Sequence, residues 1–229
     1  MESFTHRHQG RPGRETAHET RGLLLDQGWR YDLKVWFFDT FVLRGWLPDL
    51  RQRVFELADL RGGQAVLDVG CGTGTLAIEA AAPVGAAGRV AGIDPAPRQI
   101  ARARSKARRA GLPVDFRSAV IEALPFPDGS FDVVTSTLMM HHLPEDLKRQ
   151  GLSEILRVLR PGGRLVVADF KRSEQHDGTS AQSAGETGIQ DHPELMRRAG
   201  FTGIEAEEVQ FPGTHGRWAG AALVLGKKP

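Results

Sequence analysis

The chain has 229 residues, 40% of them hydrophobic, which is enough for one sizeable globular domain or one domain with a modest extension. Lys and Arg total 30 against 28 Asp and Glu, and the net charge of +2 gives no electrostatic reason to expect a nucleic-acid partner. The single cysteine excludes a disulfide framework, and without an apolar leader or an apolar run of roughly 18 residues we expect a cytoplasmic protein with no transmembrane segment.

Residues 1–20 are polar and charged, and we predict that they form a disordered tail. Histidines are scattered among the arginines of this segment. They lack a partner cysteine or a paired acidic ligand at the spacing of a known metal site, so we expect no metal there.

Residues 21–62 hold eight of the sixteen Phe, Trp and Tyr residues of the chain, and two interpretations of these side chains stay open. The aromatics are core filler of amphipathic helices, or they cap a ligand cleft and form an apolar wall for a hydrophobic substrate. Only weak contact with a membrane surface is expected, because basic residues are not concentrated on one face. Pro48 is predicted to begin the helix that leads to the turn at Gly62 and Gly63. Seven of the eight lie between residues 29 and 46, namely Trp29, Tyr31, Trp36, Phe37, Phe38, Phe41 and Trp46.

A glycine loop follows the first predicted strand. The apolar run 66–69 passes through alternate glycines into the helix-forming run 76–82, which predicts strand, tight loop and helix. The amides at the start of that helix can meet an anionic group. Gly74 falls one place too early for the dinucleotide fingerprint, and the loop has no lysine for a nucleotide triphosphate.

The next predicted strand, 89–93, ends at Asp94 and Pro95. An acid at this place in a β-α-β unit can accept hydrogen bonds from both ribose hydroxyls of an adenosine. A helix cap is the alternative, with Pro95 at the first helical position. The arginine-rich helix 97–110 is interpreted as a solvated face.

The rest of the chain continues the alternation of strands and helices. The segment 171–190 is polar and is predicted to be a flexible loop in which an active-site lid can lie. A hairpin with a long connection around 212–216 closes the sheet, and we find no repeat and no second domain. The remaining predicted strands are 114–118, 131–136, 164–170, 203–209 and 220–225. The remaining predicted helices are 145–159 and 192–199, and the residues 160–163 are expected to end the first of them.

Four motifs in this order resemble those of class I S-adenosylmethionine-dependent methyltransferases of the UbiE and methyltransferase-11 type. They are Asp68–Gly74, Leu124–Val134, Met140–Leu143 and Leu159–Leu165, and the resemblance covers roughly residues 64–170. It implies an α/β fold with a three-layer, Rossmann-like arrangement. The sheet has seven mostly parallel strands with the last one antiparallel, and a helical cap precedes it.

The resemblance also implies a division of the chain and a reaction. Residues 1–20 are the tail, 21–62 the N-terminal helical cap and 63–229 the S-adenosylmethionine-binding domain. A methyl group passes from S-adenosylmethionine to a small, hydrophobic or aromatic acceptor at O, C, N or S, and S-adenosylhomocysteine is left. No protein nucleophile and no metal are required.

The same resemblance supplies the expected cofactor-binding residues. In this family an aspartate commonly meets the adenine amino group, and Val120 occupies that position here. Adenine is then held by apolar contact with Val120 and Ile121 and by backbone groups, or Glu122 replaces the missing acid. The full set is Asp68, Gly70, Cys71, Gly72, Gly74, Thr75, Asp94, Pro95, Val120, Ile121, Glu122, Ser136 and Thr137.

Two residues are candidates for contact with the acceptor. A histidine is suited to remove a proton from a hydroxyl or thiol, and the family places His141 and His142 on the cleft side. We favour His141, because the equivalent position in the similar cyclopropane synthases carries an active-site acid. The alternative is that both histidines are structural or belong to the wall of the cofactor pocket. Asp169, at the end of the fifth strand, is the second candidate.

Two other classes of function stay open. A non-catalytic S-adenosylmethionine-binding protein is disfavoured by the intact glycine loop and ribose acid. A methyltransferase of RNA or protein is disfavoured by the near-neutral charge and by the lack of an Asn/Asp-Pro-Pro-aromatic motif after the fourth strand. We expect a monomer or a homodimer.

Overall fold

A computed structural model describes residues 20–22, 26–41, 45–171, 188–209 and 220–229. Within these ranges helices and strands alternate as the sequence predicts. The elements are α1 (Trp29–Phe41), α2 (Trp46–Ala58), β1 (Ala65–Val69), α3 (Thr75–Val84), β2 (Arg89–Asp94), α4 (Pro97–Ala110), β3 (Val114–Ser118), β4 (Phe131–Thr137), the 3₁₀ turn η1 (Met140–His142), α5 (Glu145–Val158), β5 (Leu159–Phe170), the 3₁₀ turn η2 (Ile189–Asp191), α6 (His192–Ala199), β6 (Thr202–Val209) and β7 (Ala221–Lys227).

The strands form one seven-stranded sheet in the order β3-β2-β1-β4-β5-β7-β6. β1 pairs in parallel with β2 and β4, and β7 pairs antiparallel with both β5 and β6. The predicted mostly parallel sheet with an antiparallel last strand is confirmed. The order of the strands reverses between β1 and β4, and such a switch point opens a crevice at the carboxyl ends of the strands.

Helices cover both faces of the sheet because the central strands are apolar on both faces. All five residues of β1 are buried, and successive side chains point to opposite sides. Val66 packs into the cluster that includes α2, α3 and α4, whereas Leu67 packs into the cluster that includes α5 and α6. The three-layer arrangement is therefore confirmed.

Several predicted boundaries differ from the structure, most of all the start of β5. α5 ends at Val158, and β5 begins at Leu159, whose backbone is already extended (φ −69°, ψ 145°). Pro161, which would have stopped the helix, instead lies within β5, beyond the irregular pairing of Phe131 with Leu159. α2 begins at Trp46, two residues before the predicted start, because a proline is tolerated in the first turn of a helix.

Part of the predicted organisation lies outside the described residues: nearly all of the tail 1–20, residues 172–187 of the predicted lid, and the connection 212–216. The boundary at residue 62 stays a prediction. Within the predicted cap, α2 buries Trp46 and Leu50 in the core of the sheet. None of the described helices combines the length and the apolar character that a bilayer span requires.

Candidate active site

A cavity of about 460 Å³ opens at the carboxyl edge of the sheet, beside β1 and β2. This volume lies within the range of about 300 to 1,000 Å³ that is typical of small-molecule sites. The glycine loop 70–73, the acids Asp68 and Asp94 and the segment 119–122 line it, and α1 lies across it. The cavity therefore occupies the crevice that the strand order creates.

Two glycines shape the loop for different reasons. Gly70 has a φ of +74°, and a Cβ atom there would lie 2.3 Å from Met139 Cγ. Gly74 has a φ of +78°, and its Cβ atom would lie 2.5 Å from Phe116 Cζ. The absence of a side chain at Gly70 lets the loop backbone lie against Met139 in the wall of the cavity. The absence of a side chain at Gly74 lets the start of helix α3 pack against β3 and α4.

The side chain of Asp94 binds the backbone of two segments at the edge of the cavity, the glycine loop and the residues before α4. Its carboxylate accepts hydrogen bonds from Gly72 N–H at 3.0 Å and from Ala96 N–H at 2.9 Å. Burial raises its pKa to about 6, although these two hydrogen bonds lower it in part. Helix α4 begins at Pro97, so Pro95 stands before the helix and the predicted cap with Pro95 at the first helical position does not form.

A second acid, Asp68, lies one residue before the end of β1, beneath the loop. Its side chain is buried and accepts a hydrogen bond from Thr135 Oγ1 at 3.0 Å. Burial raises its pKa to about 7, and the negative charge of Asp94 adds to the rise. Two carboxyl groups with raised pKa values in one cavity favour a ligand that brings positive charge or hydrogen-bond donors.

The wall after β3 is apolar except for one side chain. Val120 and Ile121 are buried and line the cavity, as does Glu122. Glu122 Oε2 is buried and accepts no hydrogen bond within the described part of the chain, while its backbone oxygen accepts one from Gln150 Nε2 at 3.2 Å. A buried acceptor of this kind is a natural partner for a donor on the ligand.

The cavity brings together most of the predicted cofactor residues and leaves two outside. Gly74 and Ser136 do not line it, and Ser136 is fully buried. Leu138, which follows β4 with a φ of +54°, lines it although no sequence signal indicated that residue. The predicted residues in the lining are Asp68, Gly70, Cys71, Gly72, Thr75, Asp94, Pro95, Val120, Ile121, Glu122 and Thr137.

Helix α1 is anchored to the glycine loop through Asp32. Its carboxylate accepts hydrogen bonds from Thr73 Oγ1 at 2.5 Å and from Arg102 Nε at 2.7 Å. Tyr31, next to it, lines the cavity, and burial raises the pKa of its hydroxyl. Sequence analysis named Tyr31 among the aromatics that could cap a ligand cleft, but it missed Asp32, because the contact of Asp32 with Thr73 joins segments that lie far apart in the chain.

A second cavity, of about 730 Å³, adjoins the first and shares Tyr31 and Leu138 with it. Most of its lining is apolar, including Leu33, Phe37 and Phe170. His141 also lines it, so an apolar molecule bound there would contact an imidazole.

Asp169 holds His141 through two hydrogen bonds. His141 Nδ1 lies 2.6 Å from Asp169 Oδ1, and the His141 backbone N–H donates to Oδ2 at 2.9 Å. Burial by itself would raise the pKa of Asp169, but the hydrogen bonds from His141 outweigh it and lower the pKa. Asp169 is 1% exposed and lines neither cavity, so its contact is with His141.

His142 lies against His141, with ring centroids 3.8 Å apart, and lines both cavities. Burial, together with the charge of His141, lowers the pKa of His142 to about 4. His142 is therefore neutral near neutral pH. Among the described residues no group of three His, Cys, Asp or Glu side chains is placed to hold a metal ion.

Comparison with known proteins agrees with this geometry. Residues 66–163 match the family model described as a methyltransferase domain. The chain is 33% identical over 214 residues to the 27-O-demethylrifamycin SV methyltransferase of Amycolatopsis mediterranei, covering 87% of this chain and 76% of the relative. It is 35% identical over 175 residues to the ubiquinone/menaquinone biosynthesis C-methyltransferase UbiE of Azotobacter vinelandii, covering 75% of this chain and 66% of the relative.

A solved structure with a similar fold is that of the [4+2]-cyclase SpnF, with a TM-score of 0.66, 28% identity and coverage of 79% of this chain and 80% of the other. The motifs, the sheet and the relatives agree with one another. The chain belongs to the class I S-adenosylmethionine-dependent methyltransferases.

Proposed function

We propose that this methyltransferase acts on a hydroxyl group of a small, largely apolar acceptor, with the cofactor in the first cavity and the acceptor in the second. The observation that carries the proposal is the imidazole of His141, which lines the apolar cavity and is held from behind by the buried Asp169. A hydroxyl must lose its proton to become a good nucleophile, and an imidazole held by a carboxylate is suited to take it.

The first cavity fits S-adenosylmethionine by the chemistry of its lining. Asp94 would accept hydrogen bonds from the ribose hydroxyls, and Asp68 would face a cationic part of the ligand. Glu122 Oε2, a buried acceptor, would meet the adenine amino group in place of the aspartate that is missing at Val120. When bound, the cofactor supplies a methyl group activated by its positive sulfonium.

In proton removal His141 would act as the base, and Asp169 would orient its imidazole. The carboxylate takes the hydrogen bond from Nδ1–H, which fixes the tautomer and leaves Nε2 as the basic nitrogen. Nε2 receives the acceptor's proton and later releases it to solvent, while Asp169 stabilises the imidazolium in between. Because His142 stays neutral near neutral pH, it does not oppose that positive charge.

A carbon atom next to a phenolate is the second candidate for methylation. Removal of the phenol's proton by His141 activates that carbon as well as the oxygen, so the same pair of residues serves both outcomes. One relative is named a methyltransferase of 27-O-demethylrifamycin SV, and another is named a C-methyltransferase of ubiquinone/menaquinone biosynthesis. These names support methylation at oxygen and at carbon, respectively. The position of the methyl group in the product distinguishes them.

The acids of the first cavity predict a pH dependence of cofactor affinity. Asp68, with a pKa of about 7, must ionise to meet a cationic ligand, so protonation below that pH weakens binding. We expect protonation of Asp68 to lower the affinity for S-adenosylhomocysteine about eightfold from pH 7.5 to pH 6, and protonation of Asp94, with a pKa of about 6, to lower it about twofold more, both measured by calorimetry. In Asp68→Asn only the smaller dependence that Asp94 contributes should remain. An equal affinity of the wild type at both pH values would contradict the assignment of Asp68.

A methyl-transfer assay tests the proposed function. The protein is incubated with S-adenosylmethionine carrying a labelled methyl group and with matched phenols, hydroquinones, aliphatic alcohols and thiols of increasing apolar size. We expect labelled product and S-adenosylhomocysteine with apolar phenolic or hydroxyl acceptors. Cofactor binding without transfer to any acceptor would favour the non-catalytic alternative, and a rearranged product without added mass would favour chemistry like that named for the cyclase.

A further inference from the structure

The wall of the second cavity has two parts. One part also lines the first cavity and therefore borders the opening between the two; it consists of Tyr31, Val35, Leu47, Leu138 and His142. The other part, which we call the far wall, lines the second cavity alone and consists of Leu33, Lys34, Phe37, His141 and Phe170. With the cofactor in the first cavity, the acceptor atom that receives the methyl group must lie at the opening. The rest of the acceptor therefore extends along the far wall.

Lys34 contributes an ammonium group to the far wall. Its side chain is exposed, so a ligand can reach the charge, and its neighbours Leu33 and Phe37 make the wall around it apolar. No carboxylate belongs to the described lining of the second cavity. Because apolar walls of low dielectric strengthen the field of a nearby charge, the cavity favours a ligand that carries negative charge at this place.

The two acids of helix α1 bind partners other than Lys34. Asp32 accepts a hydrogen bond from Arg102 Nε at 2.7 Å, and Asp39 accepts one from the backbone N–H of Leu47 at 2.9 Å. Lys34 forms no ion pair with any residue that the structure describes. Within this part of the chain nothing competes with a carboxylate of a ligand for the ammonium group.

We propose that the second cavity binds an acceptor that carries a carboxylate at the end remote from its hydroxyl, and that Lys34 binds this carboxylate. Only the position of the hydroxyl, beside His141, rests on the proposed function. The ring of His141 lies 3.8 Å from that of His142, which borders the opening, so the base lies close to an oxygen placed there. The volume of about 730 Å³ leaves room for an apolar segment between the two ends of the acceptor.

The hydroxyl itself fits less well as the group that Lys34 binds. A phenolate is also an anion, but it must lie at the opening to receive the methyl group, and Lys34 belongs to the far wall. The partner of Lys34 is therefore a second polar group of the acceptor. A carboxylate suits this place, because it is ionised throughout the neutral pH range and accepts charge-assisted hydrogen bonds from an ammonium group.

Calorimetry on the full chain, saturated with S-adenosylhomocysteine, tests the proposal with matched ligands. The probes are para-hydroxyphenylalkanoates of increasing chain length and the corresponding carboxamides, which have nearly the same shape but no charge. At the chain length that spans the distance to Lys34, we expect the carboxylate to bind at least about threefold more tightly than the carboxamide. Added salt should reduce this preference, because it screens the attraction between the two charges.

Matched variants on α1 assign the preference to one residue. Lys34→Met keeps a long unbranched side chain and removes the charge, so the preference for the carboxylate should disappear, and Lys34→Glu should reverse it. Arg30→Met removes an exposed positive charge one helical turn away, at a residue that lines neither cavity, and should keep the preference. The affinity of each variant for S-adenosylhomocysteine reports correct folding, since neither residue lines the first cavity.

Three outcomes would overturn the proposal: equal binding of carboxylate and carboxamide at every chain length, an equal loss of affinity for both in Lys34→Met, or loss of the preference in Arg30→Met as well. The second outcome would mean that Lys34 acts on the part of the ligand that both probes share. Binding is measured without turnover. A preference that depends on Lys34 would therefore stand even if no methyl group were transferred, and absence of transfer would count against the proposed function alone.

Discussion

Replacement of His141 by alanine is expected to lower turnover by about 10²- to 10⁴-fold, the usual contribution of a general base. The cofactor cavity does not include His141, so the affinity for S-adenosylhomocysteine should stay within about twofold of the wild type. Steady-state kinetics with a phenolic acceptor and calorimetry with S-adenosylhomocysteine measure the two quantities. A fall in turnover without a fall in affinity would place His141 at the acceptor.

The acidity of the acceptor provides the control for this prediction. An acceptor phenol that is already ionised at the assay pH needs no base, so the effect of His141→Ala should shrink as the acceptor's pKa falls. A purely structural role would give the same loss with every acceptor. Asp169→Asn, which removes the charge that holds His141 Nδ1–H, should lower turnover with the same dependence on acceptor acidity. Unchanged turnover in His141→Ala would return both residues to a structural role.

The order of the elements was predictable because its signals are local. The apolar run of β1, the glycines after it and the helix-forming run of α3 each specify their own backbone within a few residues. The position of Asp94 at the edge of the cavity follows from the same local pattern. These parts of the site can therefore be predicted from a single sequence.

The rest depends on contacts between distant segments. Asp32 and Thr73 are 41 positions apart, and His141 and Asp169 are 28 apart, so their pairing has no local signal. The placement of Ser136 follows a rule that was available from sequence. Adjacent residues of a strand point to opposite faces, and of Ser136 and Thr137 at the end of β4 only Thr137 lines the cavity. Residues of α1 line the second cavity, and the resemblance does not cover that helix.

Replacement of Asp94 by alanine is expected to weaken binding of S-adenosylhomocysteine by about 5- to 150-fold, which corresponds to about 1 to 3 kcal/mol for a lost charge-assisted partner. Two causes would contribute. The ribose hydroxyls lose their acceptor, and the N–H groups of Gly72 and Ala96 lose theirs, so the glycine loop is also less firmly held. Calorimetry on the single variant cannot separate the two.

A thermodynamic cycle with a second ligand separates them. An analogue of S-adenosylhomocysteine that lacks both ribose hydroxyls reports only the effect of the variant on the loop, because Asp94 has no hydroxyl to bind in that complex. If Asp94 holds the ribose, Asp94→Ala should lose less affinity for the analogue than for S-adenosylhomocysteine, and the loss for the analogue measures the effect on the loop. An equal loss for both ligands would mean that Asp94 acts through Gly72 and Ala96 alone, and the ribose assignment would be wrong. The test also has an expected pH dependence, because the pKa of Asp94 is raised to about 6. Below that pH the carboxyl group is protonated, and the difference in affinity for S-adenosylhomocysteine between wild type and Asp94→Ala should become smaller.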